Sequence, residues 1–299
     1  MQIDLIGVPL DFGAGRRGVD MGPSALRYAG LKSALQSIGH TVADGGNVEV
    51  PILETCVVTE PKLRYVDCIV PVARQLAERV AASVQSGNLP LTLGGDHSLS
   101  LGSVRGAARD KRLGLIWIDA HGDFNTAETT PSGNIHGMSL AALAGYGDSR
   151  LAALGDGSGP TIAPSNIAIV GVRDLDPGER DLLQHSGAAV FGMEQIDRVG
   201  LHNVLSHAID VASGGVDGIY LSLDLDALDP VYAPGVGTPV SGGLTYREAH
   251  MACEMIAETR RLVGMDLVEV NPILDDRNKT AELAVELALS ALGKRVWHG

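Results

Sequence analysis

The chain has 299 residues, of which 45% are hydrophobic and 4% aromatic, and it contains 38 glycines. This composition suits a parallel sheet built from Val, Ile, Leu and Ala, whose strands end in sharp turns. Acidic residues outnumber basic ones 36 to 23, for a formal charge of −13, which excludes nucleic acid and anionic membrane surfaces as expected partners.

Short apolar runs alternate along the chain with longer segments of helical period. In chain order, the predicted strands cover residues 3–8, 89–93, 113–118, 167–172, 188–191, 219–225 and 262–270. The predicted helices cover residues 23–38, 65–85, 179–185, 194–212, 246–259 and 280–292. We therefore expect an α/β fold: a single three-layer domain over residues 1–299, with a mostly parallel central sheet of about eight strands and helices on both faces.

Three turn-rich stretches, 126–133, 155–164 and 229–243, are expected to be long loops at one edge of this sheet. Met1 leads directly into the first predicted strand, and the apolar runs are too short to span a membrane, so we expect a cytoplasmic protein without a membrane partner. The cysteines form no CxxC pair, and we expect ordinary buried thiols at Cys56, Cys68 and Cys253.

Residues able to bind a metal follow several predicted strands. His97 lies in the GGDHS motif after the second strand, where a histidine hydrogen-bonded in a turn is the preferred interpretation of this residue taken alone. The next strand runs into Asp119, His121 and Asp123, which alternate and would point to one side of an extended chain. A solvated edge strand is a poor explanation, because the preceding run is apolar and unpaired carboxylates at the centre of a sheet are costly.

The same alternation recurs at Asp224 and Asp226, where the strand at 219–225 ends. The resulting set, called the His/Asp cluster below, comprises His97, Asp119, His121, Asp123, Asp224 and Asp226. Its carboxylates match the charge of two divalent cations and leave room for a hydroxide. Carboxylates with one imidazole per ion favour Mn²⁺, although Zn²⁺, Fe²⁺ and Co²⁺ also suit these donors. Because paired ions lower the pKa of a shared water, the cluster predicts metal-assisted hydrolysis.

Several motifs now point to one family. In chain order they are GGDHS at 94–98, DAHGD at 119–123, SGNIHG at 132–137, SLDLDALDP at 222–230 and GTPVSGGLTYRE at 237–248. Over nearly the whole chain this series resembles the arginase branch of the ureohydrolases. The resemblance implies hydrolysis of L-arginine to L-ornithine and urea by a hydroxide that bridges two Mn²⁺ ions per chain. It implies one ion on His97, Asp119, Asp123 and Asp224, and the other on Asp119, His121, Asp224 and Asp226.

The resemblance also implies three catalytic roles. Asp123 would orient the hydroxide as well as bind metal. His136 would shuttle protons, which an imidazole with its ordinary pKa near 6.5 can do at neutral pH. Glu269 would bind the guanidinium, whose planar fork a carboxylate matches. In isolation, His136 could be a surface loop histidine and Glu269 a strand-end surface glutamate.

Substrate choice follows from the same resemblance. It implies that the α-carboxylate of the substrate is bound by Asn125, Thr130, Ser132 and Asn134. It implies that the α-ammonium group is bound by Asp176 and Glu179. Thr238 matches a family residue beside the guanidinium, but its hydroxyl could equally just set a turn. Such a site selects a zwitterion, so L-arginine is favoured over the substrates of an agmatinase or a guanidinobutyrase.

Other classes of protein also have to be weighed. Residues 13–18 fit GxGxxG, as in an NAD-dependent oxidoreductase, but the last glycine opens no predicted helix and the expected acidic residue is missing, so a loop over the site is favoured. A zinc deacetylase would need one metal, and a catalytically silent binding protein would be expected to lack ligands. The resemblance further implies self-association as a trimer or hexamer, and the absence of a long tail after residue 299 favours the hexamer.

Overall fold

In the part of the chain that the structure describes, eight parallel strands form the central sheet, in the spatial order β2-β1-β3-β8-β7-β4-β5-β6. The computed structural model describes residues 1–154, 159–295 and 297. The strands are β1 Gln2–Gly7, β2 Thr41–Asn47, β3 Leu89–Leu93, β4 Leu113–Ile118, β5 Ile167–Val172, β6 Ala189–Gly192, β7 Gly218–Asp224 and β8 Leu262–Val268. Every residue of β3, β4, β5 and β7 is buried, as expected where helices cover both faces.

Helices and two apolar cores complete the three layers. The helices are α1 Gly22–Tyr28, α2 Leu31–Ser37, α3 Val66–Gln85, α4 Ser100–Ala107, α5 Ser139–Leu143, α6 Ser149–Ala152, α7 Pro177–Ser186, α8 Met193–Val199, α9 Leu201–Ser213, α10 Tyr246–Glu258 and α11 Lys279–Ala291. One core joins Ile116 and Ile118 of β4 to α9, α10 and α11, and the other joins Leu115 and Trp117 to α3 and α4. This alternation puts one core on each face of the sheet. The predicted three-layer α/β fold is confirmed.

Several predicted elements need correction. Strand β2 was not predicted, because it lies at the sheet edge and Val42 is its one buried residue, so it carries no apolar run. The helices predicted at 23–38 and 194–212 are each two helices, interrupted at Gly30 and Gly200. Both glycines have φ near 80°, a left-handed value that no α-helix continues through. Helices α4, α5 and α6 also gave no signal, and residues 155–158 of one predicted loop lie outside the described residues.

The cysteine prediction is wrong for two residues of three. Cys56 and Cys68 form a disulfide, whereas Cys253 is a buried free thiol. The chain brings the pair together by returning from the 3₁₀ turn Leu53–Thr55 to the first turn of α3. Local spacing carries no signal for such a pairing. Among the residues described, no helix has the length and apolar character needed to cross a membrane.

The strand order decides where the metal-binding motifs meet. Strands β3, β8, β7 and β4 are consecutive neighbours and all run in the same direction. Their carboxyl ends lead into His97, Glu269, Asp224 and Asp119, respectively. Residues far apart in the chain therefore converge at one edge of the sheet, where ligands bind in open α/β folds.

Candidate active site

His97 lies among three carboxylates. Its Nδ1 atom is 3.1 Å from an oxygen of each of Asp119, Asp123 and Asp224. The imidazole stacks on the indole of Trp117, with 3.8 Å between ring centroids, and all of these residues are buried. Nδ1 itself is a buried atom without a hydrogen-bond partner. A buried nitrogen directed at carboxylates in this way fits a metal ligand.

A second group of ligand-type residues shares Asp119 with the first. His121 Nδ1 lies 3.1 Å from Asp226 Oδ2 and 3.4 Å from Asp119 Oδ1. In each of two groups, His97 with Asp119 and Asp123, and Asp119 with His121 and Asp226, the ligand atoms lie within 4.8 Å of one another. Two adjacent groups with one common carboxylate suit a pair of divalent ions, and their donors are imidazole and carboxylate, which Mn²⁺ accepts.

The two strand-end aspartates are held in the same way. Asp119 Oδ1 accepts the backbone N–H of His121 over 2.7 Å, and Asp224 Oδ1 accepts that of Asp226 over 2.8 Å. Each hydrogen bond closes a turn two residues long at the end of a strand. The other oxygen, Oδ2, is the one that faces His97 in both residues. The turns after β4 and β7 therefore orient these carboxylates toward the same point.

Burial and mutual repulsion act on the carboxylates of the cluster. Burial and the charges of Asp226 and Asp119 raise the pKa of Asp224 well above its ordinary value. Burial and the charge of Asp119 likewise raise the pKa of Asp123 to about 6. Divalent cations cancel repulsion of this kind, because they are the largest local charges in such a site. The charge of the cluster therefore fits bound metal ions, and so do its imidazole and carboxylate donors.

Asp123 and Glu269 share an unusual backbone conformation. Their φ angles are 49° and 63°, in the left-handed region that side chains rarely adopt. This conformation costs about 1–2 kcal/mol for a residue with a Cβ atom. Strain of that size tends to occur at functional sites, where the surrounding structure maintains it.

His136 and Glu269 form a hydrogen-bonded pair, with 3.1 Å between Nδ1 and Oε1. Glu269 Oε1 also accepts the backbone N–H of His97, while Oε2 is buried without a hydrogen-bond partner. Burial by itself lowers the pKa of His136, but the hydrogen bond and charge of Glu269 raise it to about 9. His136, predicted in a loop, begins the 3₁₀ turn His136–Met138.

A polar cleft of about 620 Å³ of empty space opens over the cluster. His121, Asp123, Asp224 and Asp226 line it, together with His136. The residues predicted to bind substrate also all line it, namely Asn125, Thr130, Ser132, Asn134, Asp176, Glu179 and Thr238. His97, Asp119 and Glu269 are buried next to it. The fold thus brings the predicted metal, catalytic and substrate residues to one place.

Some of the predicted substrate residues also hold the cleft together. Asn125 donates its amide to Asp176 Oδ2 over 2.9 Å, and Thr238 donates its hydroxyl to Asp226 Oδ2 over 3.0 Å. Glu179 accepts the backbone N–H groups of Phe124 and Asp176 over 2.8 and 3.1 Å. Burial raises the pKa of Glu179 to about 7. The segment after β4 is thereby tied to the start of α7.

Two residues against His97 were not singled out from the sequence. Trp117 stacks on its ring and donates Nε1–H to Asp119 Oδ2 over 2.9 Å, and Ser222 Oγ lies 2.8 Å from His97 Nε2. Both are strand residues two positions before a cluster aspartate. Extending the alternation of ligands backward along each strand would have indicated them.

The glycine-rich loop 13–18 borders the site. Gly13 donates its N–H to Asp96 Oδ2 over 2.9 Å, and its carbonyl accepts the N–H of His136. Gly15 lies close to Asn134, whose amide nitrogen would be 3.1 Å from a Cβ atom at that glycine. These contacts favour a loop beside the cleft, and not a dinucleotide-binding turn, as the interpretation of this segment.

A three-layer α/β fold with a buried His/Asp cluster under a polar cleft is typical of metal-dependent hydrolases. Residues 1–293 match the model of the Arginase family. The arginase of Brevibacillus brevis is 49% identical over 296 residues, which cover 99% of each chain. The solved arginase structures from Bacillus caldovelox and Bacillus cereus superpose with TM-scores of 0.95 and 0.93, at 48% and 49% identity. The first comparison covers 99% of both chains, and the second covers 99% of this chain and 100% of the other. The chain belongs to the arginase family.

Proposed function

We propose that this protein hydrolyses L-arginine to L-ornithine and urea, with two Mn²⁺ ions held by the His/Asp cluster. The observation that carries the proposal is the pair of adjacent ligand groups sharing Asp119, beneath a cleft lined by the predicted substrate residues. Relatives named arginase, at 48% and 49% identity over almost their full length, support the choice of reaction.

The ligand groups support the following assignment of ions. One ion would be held by His97, Asp119, Asp123 and Asp224, and the other by Asp119, His121, Asp224 and Asp226. A bound pair of ions supplies a water of lowered pKa as the nucleophile. Asp119 and Asp224, which would bridge the ions, each keep one oxygen on a backbone N–H, and this hydrogen bond orients the other oxygen toward His97.

The remaining catalytic roles belong to Glu269 and His136. Glu269 Oε2 has no hydrogen-bond partner in its buried position, so it can accept from a guanidinium N–H. Glu269 Oε1 holds His136 through Nδ1, which leaves Nε2 of that ring to exchange a proton at the cleft. The proton would pass to the amine of the departing ornithine, which must be protonated to leave.

The cleft residues support L-arginine as the substrate. Thr130, Ser132 and Asn134 offer neutral donors to an α-carboxylate, and Asp176 offers a carboxylate to an α-ammonium group. The hydrogen bond from Asn125 to Asp176 suggests that Asn125 acts partly by fixing this carboxylate. Recognition of both charges would favour arginine over agmatine, which lacks the α-carboxylate.

Urea release tests the proposal when L-arginine, agmatine and guanidinobutyrate are compared on Mn²⁺-loaded protein. We expect arginine to be the preferred substrate and activity to disappear on chelation, with two Mn²⁺ per chain by elemental analysis. Preference for agmatine would show that arginine is not the substrate. A single bound zinc would contradict the mechanism with two Mn²⁺ ions. Self-association as a trimer or hexamer, the cytoplasmic location and the single domain over residues 1–299 stay predictions from the sequence.

A further inference from the structure

A carboxylate outside the His/Asp cluster lies at the centre of the sheet. Asp266 is on β8, paired in register with Ser222 of the neighbouring strand β7, and both residues are fully buried. Removing a carboxylate from water is costly unless its neighbours compensate. The neighbours of Asp266 therefore indicate what this group does.

Three hydroxyl groups donate to this carboxylate. Tyr220 donates to Oδ1 over 2.6 Å, while Ser100 and Ser103 of α4 donate to Oδ2 over 2.8 and 2.7 Å. Burial raises the pKa of Asp266, and these three hydroxyls lower it. Each hydroxyl has a single hydrogen, so one that donates to Asp266 can only accept from its other neighbours.

Ser222 connects these groups to His97. Its Oγ atom lies 2.8 Å from His97 Nε2 and 3.3 Å from Ser100 Oγ. A longer contact of 3.5 Å joins it to Asp266 Oδ2. Because Ser100 directs its hydrogen at Asp266, both of these neighbouring oxygens can only accept, and the Ser222 hydrogen points toward them. Ser222 then presents a lone pair to His97, which places the imidazole proton on Nε2.

The position of that proton decides what Nδ1 can do. A neutral imidazole carries one proton, so a protonated Nε2 leaves Nδ1 with its lone pair directed at the carboxylates of the cluster. Histidine binds metal through an unprotonated nitrogen, and the hydrogen bond at the other nitrogen selects the tautomer. We propose that Asp266 is a positioning residue: through Ser100 and Ser222 it holds His97 in the tautomer that offers Nδ1 to a metal ion. This inference rests on the proposed function, since it takes His97 to be a metal ligand.

Replacing Asp266 by Asn tests the direction of this hydrogen-bond chain. The Asn amide can donate to Ser100, which would reverse the chain and drive the proton of His97 onto Nδ1. We expect the affinity of the His97 site for Mn²⁺ to fall about 10- to 100-fold, as for other residues that support metal-binding histidines. The site containing His121 should be affected less. Calorimetric titration of metal-free protein with Mn²⁺ measures the affinities of both sites. Wild-type affinities at both sites in a folded variant would overturn the proposal.

Ser100→Ala and Ser103→Ala form a matched pair that avoids changing the buried charge. Both serines are fully buried on α4 and donate to the same oxygen of Asp266, but of the two only Ser100 contacts Ser222. We expect Mn²⁺ binding to weaken in Ser100→Ala and to stay at the wild-type level in Ser103→Ala. Equal effects, or no effect of either change, would contradict the proposal. Wild-type protein that binds two Mn²⁺ but releases no urea from arginine would instead contradict the proposed substrate.

Discussion

Glu269 Oε1 lies 3.1 Å from Nδ1 of His136, and the same oxygen accepts the backbone N–H of His97. One buried carboxylate thus contacts both the predicted proton shuttle and a predicted metal ligand. This relationship makes the protonation of His136 depend on Glu269, and the dependence can be measured without substrate.

In metal-free protein, we expect Glu269→Gln to lower the pKa of His136 from about 9. The substitution removes the hydrogen-bonded carboxylate that raises this pKa most, while burial still lowers it and the charges of Asp123 and Asp96 still raise it. A raised histidine pKa stabilises the fold fully below about pH 6.5, and this contribution is lost as the pH rises through about 9. NMR titration of the His136 ring measures the pKa directly. Unfolding free energies of both proteins between pH 6.5 and 9 provide the check, because the wild type should lose more stability over that range. Identical titration curves would contradict the prediction.

Asp119→Asn should remove both metal ions, whereas His121→Asn should remove one. Asp119 belongs to both ligand groups, and His121 to a single group. Asparagine keeps the shape of the aspartate but lacks its charge, so we expect the turnover number of Asp119→Asn to fall by more than about 100-fold, beyond the usual effect of residues that merely support ligands. Metal content after gel filtration in dilute Mn²⁺ distinguishes the variants. Two ions retained by Asp119→Asn would show that Asp119 is not the shared ligand.

Ser132→Ala should weaken recognition of arginine and leave that of agmatine unchanged. Ser132 lines the cleft among the residues assigned to the α-carboxylate, a group that agmatine lacks. A hydrogen bond to a charged group contributes about 1.5–3 kcal/mol, so the KM for arginine should rise roughly 10- to 100-fold. Asp176→Asn is the control, because agmatine retains the amine that Asp176 is proposed to bind. That variant should weaken the binding of both compounds, measured as KM or as competitive inhibition constants. Equal losses for both compounds in Ser132→Ala would reject the assignment.

Removing the Cys56–Cys68 disulfide should lower stability and loosen one wall of the cleft. Within the loop that it closes, Lys62 Nζ donates to the carbonyl of Thr130 over 2.6 Å, and the Arg64 N–H donates to that of Gly133 over 3.0 Å. A cross-link closing a short loop contributes about 2–4 kcal/mol, which for this chain length corresponds to roughly 3–6 °C in Tm. The double variant Cys56→Ser with Cys68→Ser should show this decrease, with faster hydrogen exchange at residues 130–134.

The two single cysteine variants provide the control for that experiment. Each single change already breaks the bond, so each should lower the Tm about as much as the double variant does. A reductant should lower the Tm of the wild type and leave the double variant unchanged. Insensitivity of the wild type to reductant would show that this disulfide does not stabilise the protein.

Local patterns in the sequence were sufficient for much of this molecule. The strands β3, β4, β5 and β7 are apolar throughout because both of their faces are buried, so composition alone reveals them. Alternating ligands such as Asp119, His121 and Asp123 follow the two-residue period of extended chain, which is also local. The capping box of Thr245 and Glu248 at the start of α10 is likewise a local pattern, because its two residues are three positions apart.

Only the tertiary structure decided the features that depend on which segments become neighbours. The edge strand β2 lacks an apolar run because it is exposed to solvent at every residue except Val42. The Cys56–Cys68 bond depends on how the chain returns to α3. The hydrogen-bond chain from Asp266 to His97 joins two strands and a helix that are distant in sequence. Such contacts follow from strand order and register, which sequence spacing does not encode. The sequence by itself determined the kinds of chemical groups at the site, and the fold decided which atoms of those groups face each other.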